Sequence, residues 1–250
     1  MFAPLHYQEI DSTNKEALRL IQAGEISQKS VIYADRQTAG QGSRGRTWQS
    51  QKEGNFLATY ILPLSAQEHP HYLTLYPISN ACFQLMKDLL PEESVQIKWP
   101  NDLLVNEQKI AGMLHELTAH NGQDYFIAGI GINIAWCPSQ ADTHFPPTYL
   151  AELTSPRPSI ETLVEKLGTY IEKELEIWTA DPSETYINSI LPNFYKLNEQ
   201  ISVHLAHDRT NKISGTFKAI DPSGALILET EDRIEKISAG DIFPTLHEKI

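Results

Sequence analysis

Residues 98–112 read Lys-Trp-Pro-Asn-Asp-Leu-Leu-Val-Asn-Glu-Gln-Lys-Ile-Ala-Gly. Two short apolar runs, residues 103–105 and the run that begins at Lys109, are separated by turn residues, which predicts a β-hairpin. An Asn-Asp pair stands at the mouth of the first strand, and a lone lysine stands at the head of the second. The hairpin is expected to bring the Asp102 carboxylate and the Lys109 ammonium to one end of a sheet. Such a pair predicts a site that handles an anion.

The segments around this hairpin predict an α+β protein. Further β-rich runs cover residues 30–35, 55–62, 95–99 and 125–134. Helical spacing is found after a capping-box pattern at residues 13–16, and in residues 72–90, 159–178 and 182–195. We therefore expect a mixed or antiparallel sheet with packed helices. A Pro-rich polar stretch, residues 136–147, predicts a lid or a disordered loop.

The last part of the chain changes to short strands separated by turn residues. These strands are expected at residues 201–206, 213–220, 225–229 and 234–237. A small all-β barrel is the simplest interpretation of this pattern. We therefore expect two domains, residues 1–197 and residues 198–250.

Composition limits the possible partners. With 41% hydrophobic and 21% charged residues, the 250-residue chain has the composition of a globular protein. Its formal net charge of -12 argues against sequence-independent binding of nucleic acid, which needs clustered basic residues. The basic exception is one loop with Arg36, Arg44, Arg46 and Lys52. Local positive charge on an acidic protein indicates a small anionic ligand.

Cysteine usage and the N-terminus predict a cytoplasmic protein. Cys82 and Cys137 form neither a disulfide framework nor a metal-binding spacing. The first residues lack the charged and apolar regions of a signal peptide. No apolar run approaches the roughly 18 residues of a membrane span, so we expect no membrane association.

Three further motifs accompany the hairpin. Residues 35–48 read Asp-Arg-Gln-Thr-Ala-Gly-Gln-Gly-Ser-Arg-Gly-Arg-Thr-Trp, residues 129–133 read Gly-Ile-Gly-Ile-Asn, and residues 12–14 read Ser-Thr-Asn. In this order and spacing the four segments resemble the biotin protein ligases, over nearly the whole chain from Tyr7 to Pro244. The resemblance implies a class II synthetase-like catalytic domain followed by an SH3-like C-terminal domain. It also implies biotin and ATP as substrates, Mg²⁺ as cofactor, and a biotin carboxyl carrier protein of acetyl-CoA carboxylase as acceptor.

Bifunctional members of that family carry a DNA-binding domain before the Ser-Thr-Asn motif. Here the motif begins at Ser12, so the expectation is a monofunctional enzyme that does not bind DNA. Whether such an enzyme is a monomer or a homodimer stays open, because exposed sheet edges occur in both.

The resemblance assigns catalytic roles to the charged motif residues. Lys109 would touch both the biotin carboxylate and the α-phosphate, with Arg44 and Arg46 as further cations. Asp102 would face a Mg²⁺ ion, which prefers oxygen ligands. Asn101 and Asn133 would join Asp102, Lys109 and the two arginines in contacting ATP. By burial statistics alone, a lysine at a strand head is more often a solvated surface charge.

The remaining motif residues are assigned to biotin. The set consists of Ser12, Thr13, Asn14, Gln37, Gly40, Gln41, Gly42, Ser43, Trp48, Lys109, Gly112, Gly129 and Gly131. Polar members would hydrogen-bond the ureido ring, and Trp48 with the glycines would wall the valeryl tail. Ser12 and Thr13 fit a helix cap equally well, and a glycine-spaced loop is more often a flexible connection. Trp99 is assigned to the core instead.

Two departures and two rival functions remain. Many relatives have arginine where this chain has Gln41 and Ser43, so we expect faster loss of the acyl-adenylate unless Arg44 or Arg46 reaches the same place. A lipoate ligase or octanoyltransferase of the same fold would lack the basic glycine loop and the Trp-Pro-Asn-Asp segment. A non-catalytic biotin-binding protein would have no use for Lys109 beside Asp102.

Overall fold

The structure is a computed structural model of the chain. It describes residues 1–50, 53–64, 75–139, 145–180, 184–205, 211–221 and 223–242. Parts of several sequence expectations therefore lie outside the described residues. These parts are residues 72–74 and 182–183 of two helices, residues 140–144 of the Pro-rich stretch, Ala206 at a strand end, Pro222 in a turn, Pro244 and Lys52.

A seven-stranded mixed sheet forms the larger part of the fold. Its strands are β1 (Ala3–Ile10), β2 (Ser30–Gln37), β3 (Phe56–Leu64), β4 (Val95–Lys98), β5 (Asp102–Val105), β6 (Gln108–His120) and β7 (Gln123–Ile132). They lie in the order β1-β2-β3-β7-β6-β5-β4. The β1 and β2 strands are parallel, and the other neighbours are antiparallel. The predicted hairpin is β5–β6.

Helices cover both faces of this sheet because its central strands are apolar on both sides. They are α1 (Thr13–Gln22), α2 (Leu75–Leu89), α3 (Leu150–Leu153), α4 (Ile160–Ala180) and α5 (Glu184–Ile190). On one face Ala17 and Ile21 of α1 pack with Ile32, Ile61 and Ile127. Residues of α2 and α4 pack on the other face, in a cluster that includes the adjacent strand residues Val31 and Tyr60. No helix in the described ranges is long and apolar enough to cross a membrane.

The chain ends in a five-stranded antiparallel sheet that shares the main core. Its strands are β8 (Gln200–Leu205), β9 (Lys212–Ile220), β10 (Leu226–Glu229), β11 (Ile234–Ile237) and β12 (Gly240–Ile242), in the order β11-β10-β9-β8-β12. The Gly224 carbonyl accepts hydrogen bonds from Trp99 Nε1 at 3.2 Å and from the Tyr76 hydroxyl at 2.7 Å. Trp99 is buried, as expected for a core residue. These contacts fix the C-terminal sheet against the larger one.

The predicted fold class is confirmed, with three omissions and one error. The omissions are strands β1 and β12 and the short helix α3. The capping box at residues 13–16 is wrong, because α1 begins one residue earlier, with Ser12 at its N-cap, and has no side-chain cap hydrogen bond. The Thr13 hydroxyl points to Gln37 instead, and the Glu16 carboxylate binds Arg19 and Tyr7.

Candidate active site

One cavity opens where the ends of the central strands meet the C-terminal sheet. Its walls come from the start of α1, the loop after β2, the β5–β6 hairpin, β7 and β12. Sixteen of the residues expected at the site border it: Ser12, Thr13, Asn14, Gln37, Gln41, Gly42, Ser43, Arg46, Trp48, Asn101, Asp102, Lys109, Gly112, Gly129, Gly131 and Asn133. The fold thus gathers motifs that are far apart in sequence.

Gly40 and Arg44 are the two expected site residues that do not border the cavity. A Cβ on Gly40 would lie 2.6 Å from the Trp48 carbonyl oxygen, so this glycine lets the loop close on itself. The Gly40 carbonyl accepts a hydrogen bond from the Trp48 backbone N–H at 3.0 Å. The role of Gly40 is therefore to shape the loop.

Neutral polar side chains form one end of the cavity. The Gln37 side-chain oxygen lies 2.7 Å from the Thr13 backbone nitrogen, which donates to it, and 3.0 Å from the Thr13 hydroxyl. Asn14 donates to the Leu114 carbonyl at 3.3 Å and to the Glu116 carboxylate at 2.8 Å. Ser12 borders the cavity without a side-chain cap hydrogen bond. This end offers neutral donors and acceptors to a ligand.

The floor of the cavity is bare backbone. A Cβ on Gly112 or Gly131 would lie 2.9 Å or 2.4 Å from the Trp48 ring, and one on Gly129 would lie 2.0 Å from Asn14 Oδ1. Real Cβ atoms essentially never make contacts this short, so a neighbouring side chain would have to move. The three glycines are therefore required by the side chains that lie on them, and Trp48 covers the floor as an apolar wall.

A buried carboxylate holds two lysines at the middle of the cavity. Asp102 Oδ1 accepts from Lys109 Nζ at 2.6 Å, and Asp102 Oδ2 accepts from Lys98 Nζ at 3.0 Å. Burial alone would raise the pKa of Asp102, but the ammonium groups of Lys109 and Lys98 outweigh it and hold this pKa well below its usual range. Asp102 is therefore ionised at neutral pH. It aims Lys109 into the cavity, where the lysine side chain keeps 25% of its exposure.

The same geometry bears on the expected Mg²⁺ contact of Asp102. Each carboxylate oxygen already accepts a hydrogen bond from an ammonium group. Across the described residues, no group of three or more His, Cys, Asp or Glu side chains could hold a metal ion. The side chains present do not fit a metal centre held by the protein on Asp102.

The basic loop is fastened to the C-terminal sheet. Arg44 Nη1 lies 2.5 Å from Asp241 Oδ2, and Arg44 also donates to the Gly240 carbonyl. Arg46 Nη2 donates to the Ser43 hydroxyl at 2.8 Å, and Arg46 Nη1 lies 3.5 Å from Asp241 Oδ2. Arg46 borders the cavity and Arg44 does not. The two arginines, equivalent in the sequence pattern, have different surroundings.

Two asparagines anchor the neighbouring backbone. Asn101 Nδ2 donates to the Met113 carbonyl at 2.5 Å, and Asn133 Nδ2 donates to the Thr148 carbonyl at 3.0 Å. The Asn133 side-chain oxygen is buried without a hydrogen-bond partner among the described residues, and so is Trp48 Nε1. Both unpartnered atoms belong to residues that border the cavity.

Sequence reasoning missed three polar residues at or behind the cavity. Lys98 stands inside the hairpin motif but was not assigned a role. Asp241 lies at the opposite end of the chain, and Thr59 lies behind Thr13 and Asn14 within an apolar strand. Only the position of Lys98, next to the expected site, gave any signal in the sequence.

Comparison with known proteins identifies the family. Residues 7–133 match the model of the biotin/lipoate A/B protein ligase family, and residues 196–243 match that of the biotin protein ligase C terminal domain. A biotin–[acetyl-CoA-carboxylase] ligase of Paracoccus denitrificans is 31% identical over 245 residues, which are 93% of this chain and 97% of that protein. This chain belongs to the biotin protein ligases.

Other biotin protein ligases also match nearly the whole of this chain, in sequence and in structure. The bifunctional ligase/repressor BirA of Bacillus subtilis is 29% identical over 95% of this chain and 73% of its own length. A solved structure of the biotin protein ligase from Aquifex aeolicus, in complex with biotin and ATP, has a TM-score of 0.78 at 25% identity. The match covers 97% of this chain and 98% of that one. The prediction of a biotin protein ligase is therefore confirmed.

Proposed function

We propose that this chain joins biotin to ATP in its cavity, releases pyrophosphate, and passes biotin from biotinyl-5′-AMP to a lysine of a biotin carboxyl carrier protein. The observation that carries the proposal is the position of Lys109. Its ammonium, aimed by Asp102, borders the same cavity as the neutral polar end and the basic loop. A carboxylate and a phosphate that met there would share one cation.

The neutral end suits the ureido group of biotin. A cyclic urea carries one carbonyl acceptor and two N–H donors, and Ser12, Thr13 and Gln37 can match both kinds of group. Neutral partners are the appropriate choice, because an unpaired charge buried against a neutral ligand is costly. The backbone floor and Trp48 leave an apolar slot for the rest of biotin.

At the other end, Lys109 stabilises the charge that develops when the biotin carboxylate attacks the α-phosphorus of ATP. A preorganised cation is most effective where the transition state concentrates charge on oxygen. The leaving pyrophosphate carries its electrons away, and biotinyl-5′-AMP remains. In the second step the carrier lysine amine attacks the mixed anhydride, and AMP leaves with the electrons of the broken C–O bond.

Arg46 is the arginine of the loop that we assign to the phosphates. It borders the cavity and is held in place by the Ser43 hydroxyl. Arg44 anchors the loop on Asp241 and Gly240, so we assign it no direct contact with ATP.

The unpartnered oxygen of Asn133 requires a donor, so we assign it to an N–H group of the nucleotide instead of a phosphate oxygen. The exocyclic amine of adenine is the group of ATP that meets this requirement. We expect any Mg²⁺ to be bound by the ATP phosphates. Both oxygens of Asp102 already accept a hydrogen bond from a lysine ammonium.

A division near residue 197 remains our proposal for the two domains. The match to the C-terminal family begins at residue 196, and the Asn198 backbone N–H already donates to the Phe217 carbonyl of the second sheet. Each sheet has its own hydrogen-bond ladder, and side-chain contacts such as those of Trp99 and Tyr76 with the Gly224 carbonyl join the two.

Pyrophosphate exchange tests the proposed function. The protein is incubated with ATP, labelled pyrophosphate and biotin, lipoate or octanoate in turn, and exchange with biotin alone is expected. Lys109→Ala should lower the exchange rate about 10²- to 10³-fold, the usual loss for one electrostatic contact to a transition state. Lys196→Ala is the matched control, because Lys196 also pairs with a carboxylate, Glu199, at 2.7 Å but does not border the cavity. Exchange that depends on lipoate or octanoate and not on biotin would contradict the proposal.

A further inference from the structure

Lys98 is a cation of the cavity to which the proposed function gives no role. It lies at the end of β4, directly opposite Asp102 in the pairing of β4 with β5. Its Nζ lies 3.0 Å from Asp102 Oδ2 and 4.8 Å from the centre of the Phe145 ring. The Lys98 side chain is 4% exposed, against 25% for that of Lys109. Lys98 is therefore turned toward the carboxylate, whereas Lys109 is accessible to a ligand.

The charges around Asp102 add up to one positive charge. Asp102 is ionised, and the ammonium groups of Lys98 and Lys109 bind one of its oxygens each. If Lys109 were the only partner, the carboxylate that aims its ammonium would also cancel the field of its charge on a ligand. This cancellation would be strong, because little water screens charges in a buried site. The second lysine balances the carboxylate and leaves the charge of Lys109 uncompensated.

The basic loop shows the same arrangement around a second carboxylate. Asp241 Oδ2 is shared by two cations, with Arg44 Nη1 at 2.5 Å and Arg46 Nη1 at 3.5 Å. In both cases the more exposed cation is the one proposed to meet the ligand, and the less exposed one balances the carboxylate. Each carboxylate thus holds a cation at the cavity without removing its charge from the site.

We propose that Lys98 is a positioning residue whose charge balances Asp102, so that Lys109 keeps its full charge for the biotin carboxylate and the α-phosphate. This role rests on the proposed function, because it presupposes that Lys109 meets the carboxylate of biotin. Lys98 acts through Asp102 and needs no contact with either substrate. The role also accounts for the burial of an ammonium group at this point, which costs solvation free energy that an apolar side chain would not.

Lys98→Met tests the charge balance, because methionine is unbranched, similar in length and uncharged. The probes are biotin and biotinamide, which differ in the charge of the terminal group and share the rest of the molecule. Native protein should bind biotin about tenfold more tightly, as expected for a charge-assisted instead of a neutral hydrogen bond. In Lys98→Met this preference should fall to about twofold or less through loss of biotin affinity alone, because the charge of Lys109 is then cancelled. The KM for ATP should rise in the same variant.

The double variant Lys98→Met, Asp102→Asn separates charge balance from direct contact. Without a carboxylate beside it, the charge of Lys109 is again uncompensated. The asparagine oxygen can still accept from Lys109, and the asparagine N–H₂ group faces a methionine instead of an ammonium group. The preference for biotin over biotinamide should therefore return to about tenfold. If Lys98 itself contacted the substrate, the preference would stay low in the double variant.

Lys196→Met is the matched control. Lys196 also pairs with a carboxylate, that of Glu199 at 2.7 Å, and its Nζ also lies over an aromatic ring, that of Tyr195 at 5.5 Å. These three residues do not border the cavity. Biotin and biotinamide should bind this variant as they bind native protein. Calorimetric titration of both ligands into each protein gives the affinities, and pyrophosphate exchange gives the KM for ATP.

Three results would overturn the role of Lys98. They are a native preference for biotin in Lys98→Met, an equal loss of affinity for both ligands, and a low preference in the double variant. If Lys98→Met does not fold, the double variant decides, because it leaves no buried carboxylate with an unpaired oxygen. Native protein without biotin-dependent pyrophosphate exchange would contradict the proposed function instead, whereas differences among the variants bear on Lys98 alone.

Discussion

Replacing Asp102 by asparagine is the sharpest test of the charge arrangement in the cavity. The substitution keeps the size of the side chain and removes the negative charge that holds Lys98 and Lys109. The Lys98 side chain is 4% exposed and cannot turn to solvent without moving its strand. An asparagine also presents an N–H₂ group to one of the two ammonium groups, with which it cannot pair.

The expected loss follows from the burial of the pair. Removing one partner of a buried ion pair costs about 3 to 5 kcal/mol, because the other charge is left without compensation. Lys109 is partly exposed and recovers some solvation, so we expect about 3 kcal/mol for Asp102→Asn. That is a large fraction of the roughly 5 to 15 kcal/mol by which native proteins are stable. Adenylation should fall as well, because Lys109 is no longer aimed at the reacting atoms.

Urea denaturation followed by tryptophan fluorescence measures the loss. Glu229→Gln is the control, since it removes the acid from an exposed pair with Lys218 at 3.5 Å, and such pairs contribute about 1 kcal/mol or less. If Asp102→Asn and Glu229→Gln unfold at the same urea concentration as the native protein, the ion-pair argument is refuted.

The pH dependence gives an independent check with a fixed sign. The folded pKa of Asp102 lies well below the value of about 3.9 expected in the unfolded chain. Its contribution is therefore complete above about pH 5 and is lost as the pH falls below about 4 toward the folded pKa. Asp102→Asn should flatten the acid limb of the stability curve in that range and leave its slope near neutrality unchanged.

Three further outcomes are expected. Because Arg46 already reaches the Ser43 hydroxyl, Ser43→Arg should leave the release of biotinyl-5′-AMP within about twofold in stopped-flow fluorescence, whereas Arg46→Ala should accelerate it about five- to thirtyfold. Arg44→Ala and Asp241→Ala should each loosen the basic loop, and a double-mutant cycle should show that the two losses are not additive. Residues 41–47 should become more resistant to protease when biotin and ATP bind, because Arg46 borders the cavity and would pair with the phosphates. Equal cleavage with and without ligands would contradict ordering of this loop by the ligands.

The hairpin was predictable because its chemistry is local. Asp102 and Lys109 are brought together by a tight turn, and the alternation of apolar residues sets which end of the sheet they occupy. The glycines of β7 were also informative, because glycine is disfavoured inside a strand unless another group lies close to the backbone. Here those groups are the side chains of Trp48 and Asn14. Interactions between residues that are close in the chain can therefore be predicted from a single sequence.

The partners of the basic loop were not predictable. Asp241 meets Arg44 through the packing of one sheet on the other, and no periodicity in either segment encodes that meeting. The surroundings of Asp102, which decide whether it can contact magnesium, were not predictable either. Sequence shows the carboxylate but not that Lys98, four residues earlier, turns back and occupies its second oxygen. Thr59 carried no signal at all, because threonine is an ordinary strand residue.

The glycine floor has a consequence for how this binding site can change in evolution. Side chains at positions 112 and 131 would collide with the same ring, that of Trp48, while one at position 129 would collide with Asn14. The order of substitutions is then constrained, because a smaller residue at position 48 must come before alanine at either of the first two positions. Trp48 lies in the basic loop, outside the strands of the sheet, and is therefore the permissive position. In a lineage that acquired a bulkier or shorter substrate, we expect the first substitution at residue 48.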